Sequence, residues 1–119
     1  MSLAFKNGVV VSRFKGNIAE ERAVVFLQES GFRIIKRNFY SRFGEIDIIA
    51  IKDDILHFVE VKSAVEYELA IQNLTPKKLS RIIKTGDIYM KKNGLDVDFV
   101  YDAVIVTPKA IEFVENITL

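Results

Sequence analysis

Three charged residues lie within two apolar segments of this sequence, and their types suit metal-assisted chemistry. Asp47 lies in GEIDIIA, and Glu60 and Lys62 lie in FVEVK. Charged side chains are rarely buried without partners, so their presence among typical core residues needs a reason. Two carboxylates are the hard oxygen ligands that Mg²⁺ prefers, and a neighbouring lysine suits a metal-bound water. The spacing alone is weak evidence, because three common residue types match it by chance.

Strand alternation predicts that these side chains meet. Residues i and i+2 share a face of a strand, so Glu60 and Lys62 share one with Phe58, and Glu45 shares one with Asp47. If the two strands pair, Asp47 and Glu60 converge near one end of the sheet. The structural alternative is a buried ion pair, which is often no more stable than a hydrophobic replacement. Because that pair leaves one carboxylate over, we favour a cation site.

The first predicted helix, Asn17 to about Glu29, adds a fourth acidic residue. Asn17 is predicted as the N-cap, with Glu20 at the capping-box distance. On a helical wheel Glu20 lies at the edge of the apolar stripe. Two interpretations stay open: a capping carboxylate, slightly favoured by helix geometry alone, and a carboxylate directed into a site. The stripe consists of Ala19, Ala23, Phe26 and Leu27, with Val24 beside it.

The other elements predict a three-layer-like α/β sandwich with a mixed central sheet. A second helix is expected from Leu74 to Asn93, with Thr75 as N-cap and Pro76 at the first helical position. The short polar connection at residues 52–54 predicts a hairpin, so a purely parallel sheet is not expected. The alternation of helices and strands gives the fold class. Residues 32–39 are predicted as a strand or an extended segment, and residues 44–51, 55–62, 97–107 and 111–117 as strands.

Length and composition narrow the class of protein. The 119 residues fit one domain, 1–119, and the net charge of +1 names no partner. The absence of cysteine excludes a disulfide scaffold and a thiolate zinc site. No signal-peptide core or membrane-length apolar run is present, so we expect a cytoplasmic protein without a membrane partner.

Basic residues form two clusters despite the low net charge. The solvated face of the second helix is almost entirely positive, which solubility alone rarely requires, because solvated faces usually mix signs. Such clusters can bind a phosphate backbone. Tyr40 and Phe43 are aromatic residues that can stack on bases, although core packing is favoured for Phe43. His57 is expected to have a packing or hydrogen-bonding role. The helix cluster is Lys77, Arg81, Lys84, Lys91 and Lys92, and the second cluster is Arg33, Lys36, Arg37 and Arg42.

Several segments together resemble a known family. They are AEERAVVFL, GFRIIKRNF, FGEIDIIA, HFVEVK, LTPKKLSRI, VYDAVIV and IEFVENI. In this order they resemble the PD-(D/E)XK nuclease superfamily, with its restriction-endonuclease-like and Holliday-junction-resolvase-like fold. Within that superfamily the chain is most similar to the YraN-like bacterial family. The combination of GEIDIIA and FVEVK is the most specific part of the resemblance.

The resemblance implies a role for each matching residue. Asp47, Glu60 and Lys62 take the signature positions, and Glu20 takes that of the helix acid. Asp47 and Glu60 would hold Mg²⁺, with Mn²⁺ as a substitute, and Glu20 would be either a further ligand or a residue that orients the ligands. The supporting motif residues are Glu45 and Asp102. The two basic clusters, together with Lys78 at the family's lysine position, give the expected nucleic-acid contacts: Lys77, Lys78, Arg81, Lys84, Arg37 and Arg42. The chain departs from the family at Ala64 and Val100, where basic residues are usual.

The implied reaction is metal-assisted hydrolysis of phosphodiester bonds in DNA, including structured or branched DNA. Lys62 is expected to position the attacking water and stabilise charge on the phosphate, while proton abstraction by Lys62 stays open. Two alternatives are a nucleic-acid-binding module that does not cleave, or cleaves only with a partner, and an adaptor whose charges form an internal network. By resemblance alone, a homodimer is an option.

Overall fold

The computed structural model describes the backbone of residues 8–118 and the side chains of residues 18–118. The strands form one five-stranded sheet in the order β1-β2-β3-β4-β5. Strands β3 and β4 run parallel, and the other neighbouring pairs run antiparallel. The predicted mixed sheet is therefore confirmed. The elements are α1 (Gly8–Glu29), β1 (Arg33–Ser41), β2 (Gly44–Lys52), β3 (Ile55–Ser63), α2 (Tyr67–Gln72), α3 (Pro76–Lys92), β4 (Phe99–Val106) and β5 (Ile111–Val114).

Helix α1 covers one face of the sheet with the apolar stripe predicted for it. Ala23 and Leu27 are fully buried and pack with Ile48, Val59 and Val104 from the central strands. This packing explains the helix better than its intrinsic propensity does, because an amphipathic helix gains most of its stability from the face it buries.

The predicted start of α1 is wrong. The helix begins at Gly8, so Asn17 lies inside it and is not its N-cap. An N-cap preference marks where a helix can begin but does not prevent the preceding residues from being helical, and no proline interrupts residues 8–17. The capping-box role of Glu20 therefore fails. The side chain of Asn17 lies outside the described residues.

Helices α2 and α3 cover the opposite face, which completes the three layers of the predicted sandwich. On α3, Ile82, Tyr89 and Met90 pack in one cluster with Phe58 and Tyr101. On α2, a buried alanine packs against β4. The sequence did not predict α2, because this six-residue helix has no side-chain cap at its start and is too short for a periodic signal.

The predicted caps of α3 are confirmed. Thr75 Oγ1 accepts the Lys78 N–H at 3.3 Å, and Pro76 is the first helical residue. Gly94 follows the helix with φ of 59°, a left-handed conformation that glycine adopts without a Cβ penalty. The cap at Thr75 fixes the start of α3, whose first turn carries Lys77 and Lys78.

Two tight hairpins connect the first three strands. Asp53 and Asp54 join β2 to β3 with φ of 52° and 64°, as the predicted hairpin requires. Arg42 and Phe43 join β1 to β2 between the paired residues Ser41 and Gly44. The second hairpin tip contacts α3, which places it beside the candidate site.

Within residues 8–118, no helix is long and apolar enough to span a membrane.

Candidate functional site

The site lies where strands β2 and β3 stop pairing. Their ladder ends with the pair Ile48 and Val59. One residue further, Asp47 Oδ2 accepts the Val61 N–H at 2.8 Å. The carboxylate therefore takes the place of the backbone carbonyl that a continued ladder would supply. This bond fixes Asp47 between the diverging strands, at the point that we call the strand fork.

Glu60 follows on β3 and is 8% exposed. Its Oε2 lies 3.8 Å from Lys62 Nζ. Its Oε1 is buried and has no hydrogen-bond partner among the side chains that the structure describes. A buried polar atom without a partner is costly, so this oxygen is available for a ligand.

Both carboxyls have raised pKa values. Burial raises the pKa of Asp47 to about 7, against the lowering effect of the Val61 N–H. Burial, and then the neighbouring Asp47 carboxylate, raises the pKa of Glu60 to about 8. Lys62 lowers both values but is one cation between two acids. At neutral pH the pair therefore favours either protons or an additional cation.

Glu20 faces inward, towards the site. Its side chain is 18% exposed, and its Oε1 lies 3.9 Å from an Arg37 nitrogen. With the Asn38 amide oriented to satisfy its neighbours, Asn38 Nδ2 donates to Glu20 Oε1 and to Glu45 Oε2, both at 3.1 Å. Burial, followed by Glu45, raises the pKa of Glu20. Of the two interpretations of Glu20, this position favours the carboxylate directed inward.

The carboxylates do not form a complete set of metal ligands. Within residues 18–118, no three His, Asp or Glu side chains are arranged as a metal-binding group. Glu20 is held by Arg37 and Asn38 instead. Asp47 and Glu60 together still suit Mg²⁺, which is often bound through one or two carboxylates and keeps several waters.

A cavity of about 170 Å³ opens beside Glu60, between the sheet and α3. It contains both acids and cations, so it suits an anionic group held together with a cation. Apart from the contact between Lys62 and Glu60, none of its basic residues makes an ion pair with a described residue. It is lined by Phe43, Gly44, Glu45, Glu60, Lys62, Leu74, Lys78, Arg81 and Ile82.

The other predicted basic residues differ in their surroundings. Lys77 and Lys84 are exposed on α3. Lys91 forms an ion pair with Asp87 at 3.1 Å. Arg37 lies 2.5 Å from Glu21, so acidic neighbours already engage it. Among the predicted contacts, Lys78 and Arg81 line the cavity.

Phe43 is half-buried in the cavity wall, whereas the sequence favoured a core position for it. The Arg42 Cζ lies 4.8 Å and the Lys84 Nζ 5.2 Å from its ring centroid. The sequence signal for this arrangement was the alternation of basic and aromatic residues around Phe43. The contact between Phe43 and Lys84 of α3 could not be predicted, because it depends on tertiary structure.

Asp102 lies apart from the acidic site and has a structural role. It is fully buried, and its Oδ2 lies 2.5 Å from His57 Nδ1. Its Oδ1 accepts the Asn116 N–H at 2.8 Å, which holds the chain after β5. His57 also packs edge-on against Phe32, with ring centroids 4.9 Å apart. The predicted packing and hydrogen-bonding role of His57 is confirmed.

Together these features define a class: a mixed α/β protein with an acidic and lysine-containing site at a strand fork, beside a basic surface on α3. The residues of this surface make no ion pair within residues 18–118, and they are Lys77, Lys78, Arg81 and Lys84. The model of the uncharacterised protein family UPF0102 matches residues 19–106, and the chain belongs to this family. The matched segment contains Glu20, Asp47, Glu60 and Lys62. The resemblance to the YraN-like family is thereby confirmed at the level of the family.

Three relatives show that the similarity extends over most of the chain. A UPF0102 protein of Sulfurimonas denitrificans is 65% identical over 109 residues, which are 92% of this chain and 100% of the relative. The UPF0102 protein of Wolinella succinogenes is 54% identical over 109 residues, with the same coverage of both chains. That of Aliarcobacter butzleri is 49% identical over 110 residues, again 92% of this chain and 100% of the relative.

Proposed function

We propose that the protein is a Mg²⁺-dependent endonuclease of the PD-(D/E)XK type, which hydrolyses phosphodiester bonds in DNA, including structured or branched DNA. One observation carries this proposal. At the strand fork, the buried Glu60 and the half-buried Asp47 both have raised pKa values, and Glu60 Oε1 has no hydrogen-bond partner among the described residues. A purely structural network would satisfy that oxygen.

The residues present fit a divalent cation. Asp47 and Glu60 would hold it, through the unpartnered Glu60 Oε1 among other oxygens. Glu20 and Glu45 lie close enough to raise the pKa of Asp47, and they add negative potential without acting as direct ligands. When bound, Mg²⁺ or Mn²⁺ polarises the phosphoryl group and lowers the pKa of water.

Within residues 18–118, Lys62 is the cation that contacts Glu60. Its contact with Glu60 directs its ammonium towards the cavity that both residues line. There it positions the attacking water and stabilises the negative charge that develops on the phosphate. Lys78 and Arg81 line the same cavity and bind the phosphodiester.

A second candidate function is nucleic-acid binding without cleavage, or cleavage only with a partner. Two positions favour it, because Ala64 and Val100 supply no charge where the resembled family has basic residues. The basic surface on α3 would then suffice for binding, and the acids would hold a structural cation.

Cleavage assays separate the two functions. The purified protein is incubated with linear, branched, flapped and single-stranded DNA, and with RNA, in Mg²⁺ or Mn²⁺. We expect cleavage that Asp47→Asn and Glu60→Gln each reduce about a hundredfold or more, since a bound metal supplies several kcal/mol of transition-state stabilisation. The matched control is Glu112→Gln, an exposed acid on β5.

Three results are informative. Cleavage that persists unchanged in both site variants would refute this assignment. Binding without cleavage under every condition would support the second function. Cleavage of RNA but not of DNA would support the same site residues and would replace DNA with RNA as the proposed substrate.

A further inference from the structure

The β1–β2 hairpin tip is attached to α3 through the hydroxyl groups of Ser41 and Thr85. The Phe43 N–H donates to Ser41 Oγ at 3.0 Å, and Ser41 Oγ lies 2.7 Å from Thr85 Oγ1. The Thr85 hydroxyl donates to the Arg81 carbonyl at 2.9 Å, which leaves Ser41 as the donor to Thr85. Thr85 is fully buried. These bonds hold the tip residues against the helix that carries the basic surface.

Phe43 holds two cations at this junction. Arg42 approaches its ring from the hairpin and Lys84 from α3, at 4.8 Å and 5.2 Å from the centroid. Neither makes an ion pair with any residue in the described range 18–118. Contact with the ring limits the conformations of two long side chains while leaving N–H donors for a ligand.

These two cations lie outside the cavity. Phe43 lines it together with Lys62, Lys78 and Arg81, whereas Arg42 and Lys84 contact the ring without lining the cavity. A nucleic-acid strand carries one charged phosphate per nucleotide. If one phosphate occupies the cavity, the next phosphate of the same strand must lie outside it.

We propose that Arg42 and Lys84, held over the Phe43 ring, form a preassembled subsite for the phosphate next to the reacting one. For this neighbouring phosphate, Phe43 is then a positioning residue, which acts through the two cations. The subsite binds any sequence, because it recognises the backbone only. This inference rests on the proposed function.

Binding of a fluorescent single-stranded oligonucleotide tests the subsite. Anisotropy is measured in EDTA over a range of salt concentrations, so that cleavage cannot interfere. We expect Phe43→Leu to weaken binding about two- to tenfold and to reduce the salt dependence, because the cations lose their preferred positions. We expect Phe43→Tyr, which keeps the aromatic face, to restore affinity. The charge-matched control is Arg22→Ala, exposed on α1 across the sheet.

A double-mutant cycle separates positioning from packing. We expect Lys84→Ala to weaken binding in the wild type and to have a smaller effect in the Phe43→Leu background. Equal effects of Lys84→Ala in both backgrounds, or failure of Phe43→Tyr to restore affinity, would overturn the subsite. The proposed function would survive either result if Lys78→Ala still weakened binding. Absence of oligonucleotide binding by the wild type would overturn the proposed function and the subsite with it. Phe43→Met replaces Phe43→Leu if the latter does not fold.

Discussion

Asp47 and Glu60 are placed at the cost of stability, because each carboxyl is more acidic in water than in the folded chain. Their ordinary pKa values are about 3.9 and 4.3, whereas in the fold they are about 7 and about 8. Shifts of this kind occur at functional sites more often than elsewhere. These two site residues could be identified from the sequence, because charged residues are unusual among core residues.

The raised pKa values predict how stability depends on pH. Without metal, the folded chain binds more protons than the unfolded chain between about pH 4 and 8, so the free energy of unfolding falls as pH rises through this range. We expect the melting temperature in EDTA to fall from pH 5 to pH 9, and to fall less in Asp47→Asn and in Glu60→Gln. A melting temperature that rises with pH, or equal slopes in all three proteins, would contradict these pKa shifts.

The contacts of Glu20 could not be predicted at the residue scale. A helical wheel placed it at the edge of the apolar stripe, but its partners Arg37 and Asn38 come from β1. Asn38 adopts a φ of 54°, which no local signal in the sequence indicated. The orientation of such a side chain depends on which strand the helix covers, and that is a property of the whole fold.

At the scale of elements, the two strands and α3 were predictable because each has a clear local signal. Strands β2 and β3 are rich in β-branched residues, and α3 has a threonine cap followed by proline. The start of α1 was not predictable, because a residue that favours the N-cap position can also lie inside a helix, as Asn17 does. The fork between β2 and β3 also escaped prediction, because no sequence signal states where a ladder stops.

Gly86 on α3 tests the packing that positions the basic surface. A Cβ at this position would meet the Tyr101 hydroxyl, which donates to the Ile83 carbonyl at 3.1 Å. We expect Gly86→Ala to destabilise the protein by about 1–3 kcal/mol, despite the higher helix propensity of alanine, because the substitution overpacks this contact. Chemical denaturation measures the change, with Ser80→Ala at an exposed position of the same helix as control. Stabilisation by Gly86→Ala would show that α3 and β4 are packed less closely than the position of Tyr101 indicates.

At the scale of the molecule, a net charge of +1 conceals an uneven distribution of charge. Acids collect at the fork, while Lys78 and Arg81 on α3 and Arg42 at the hairpin tip make no ion pair within residues 18–118. Total charge therefore did not indicate this basic surface, whereas the helical wheel of α3 did. A helical wheel could not predict the surroundings of Phe43, because Arg42 and Lys84, the two cations over its ring, come from different elements.

Salt dependence measures how many basic residues contact phosphate. Each phosphate contact contributes about 0.7–0.9 to the slope of log affinity against log salt concentration. We expect Lys78→Ala and Arg81→Ala each to lower the slope for oligonucleotide binding by about this amount, because both line the cavity. Lys109→Ala, in the exposed turn between β4 and β5, is the control for general charge. Equal slopes in all four proteins would place the binding surface elsewhere.

We propose that Asp47 and Glu60 hold a divalent cation at the fork. Titration with Mn²⁺, followed by electron paramagnetic resonance of the free ion, tests it without a substrate. The predicted result is one bound Mn²⁺ per chain, displaced by Mg²⁺, absent from Asp47→Asn and Glu60→Gln and retained in Glu112→Gln. Mn²⁺ binding that is equal in all four proteins, or absent from the wild type, would contradict the account.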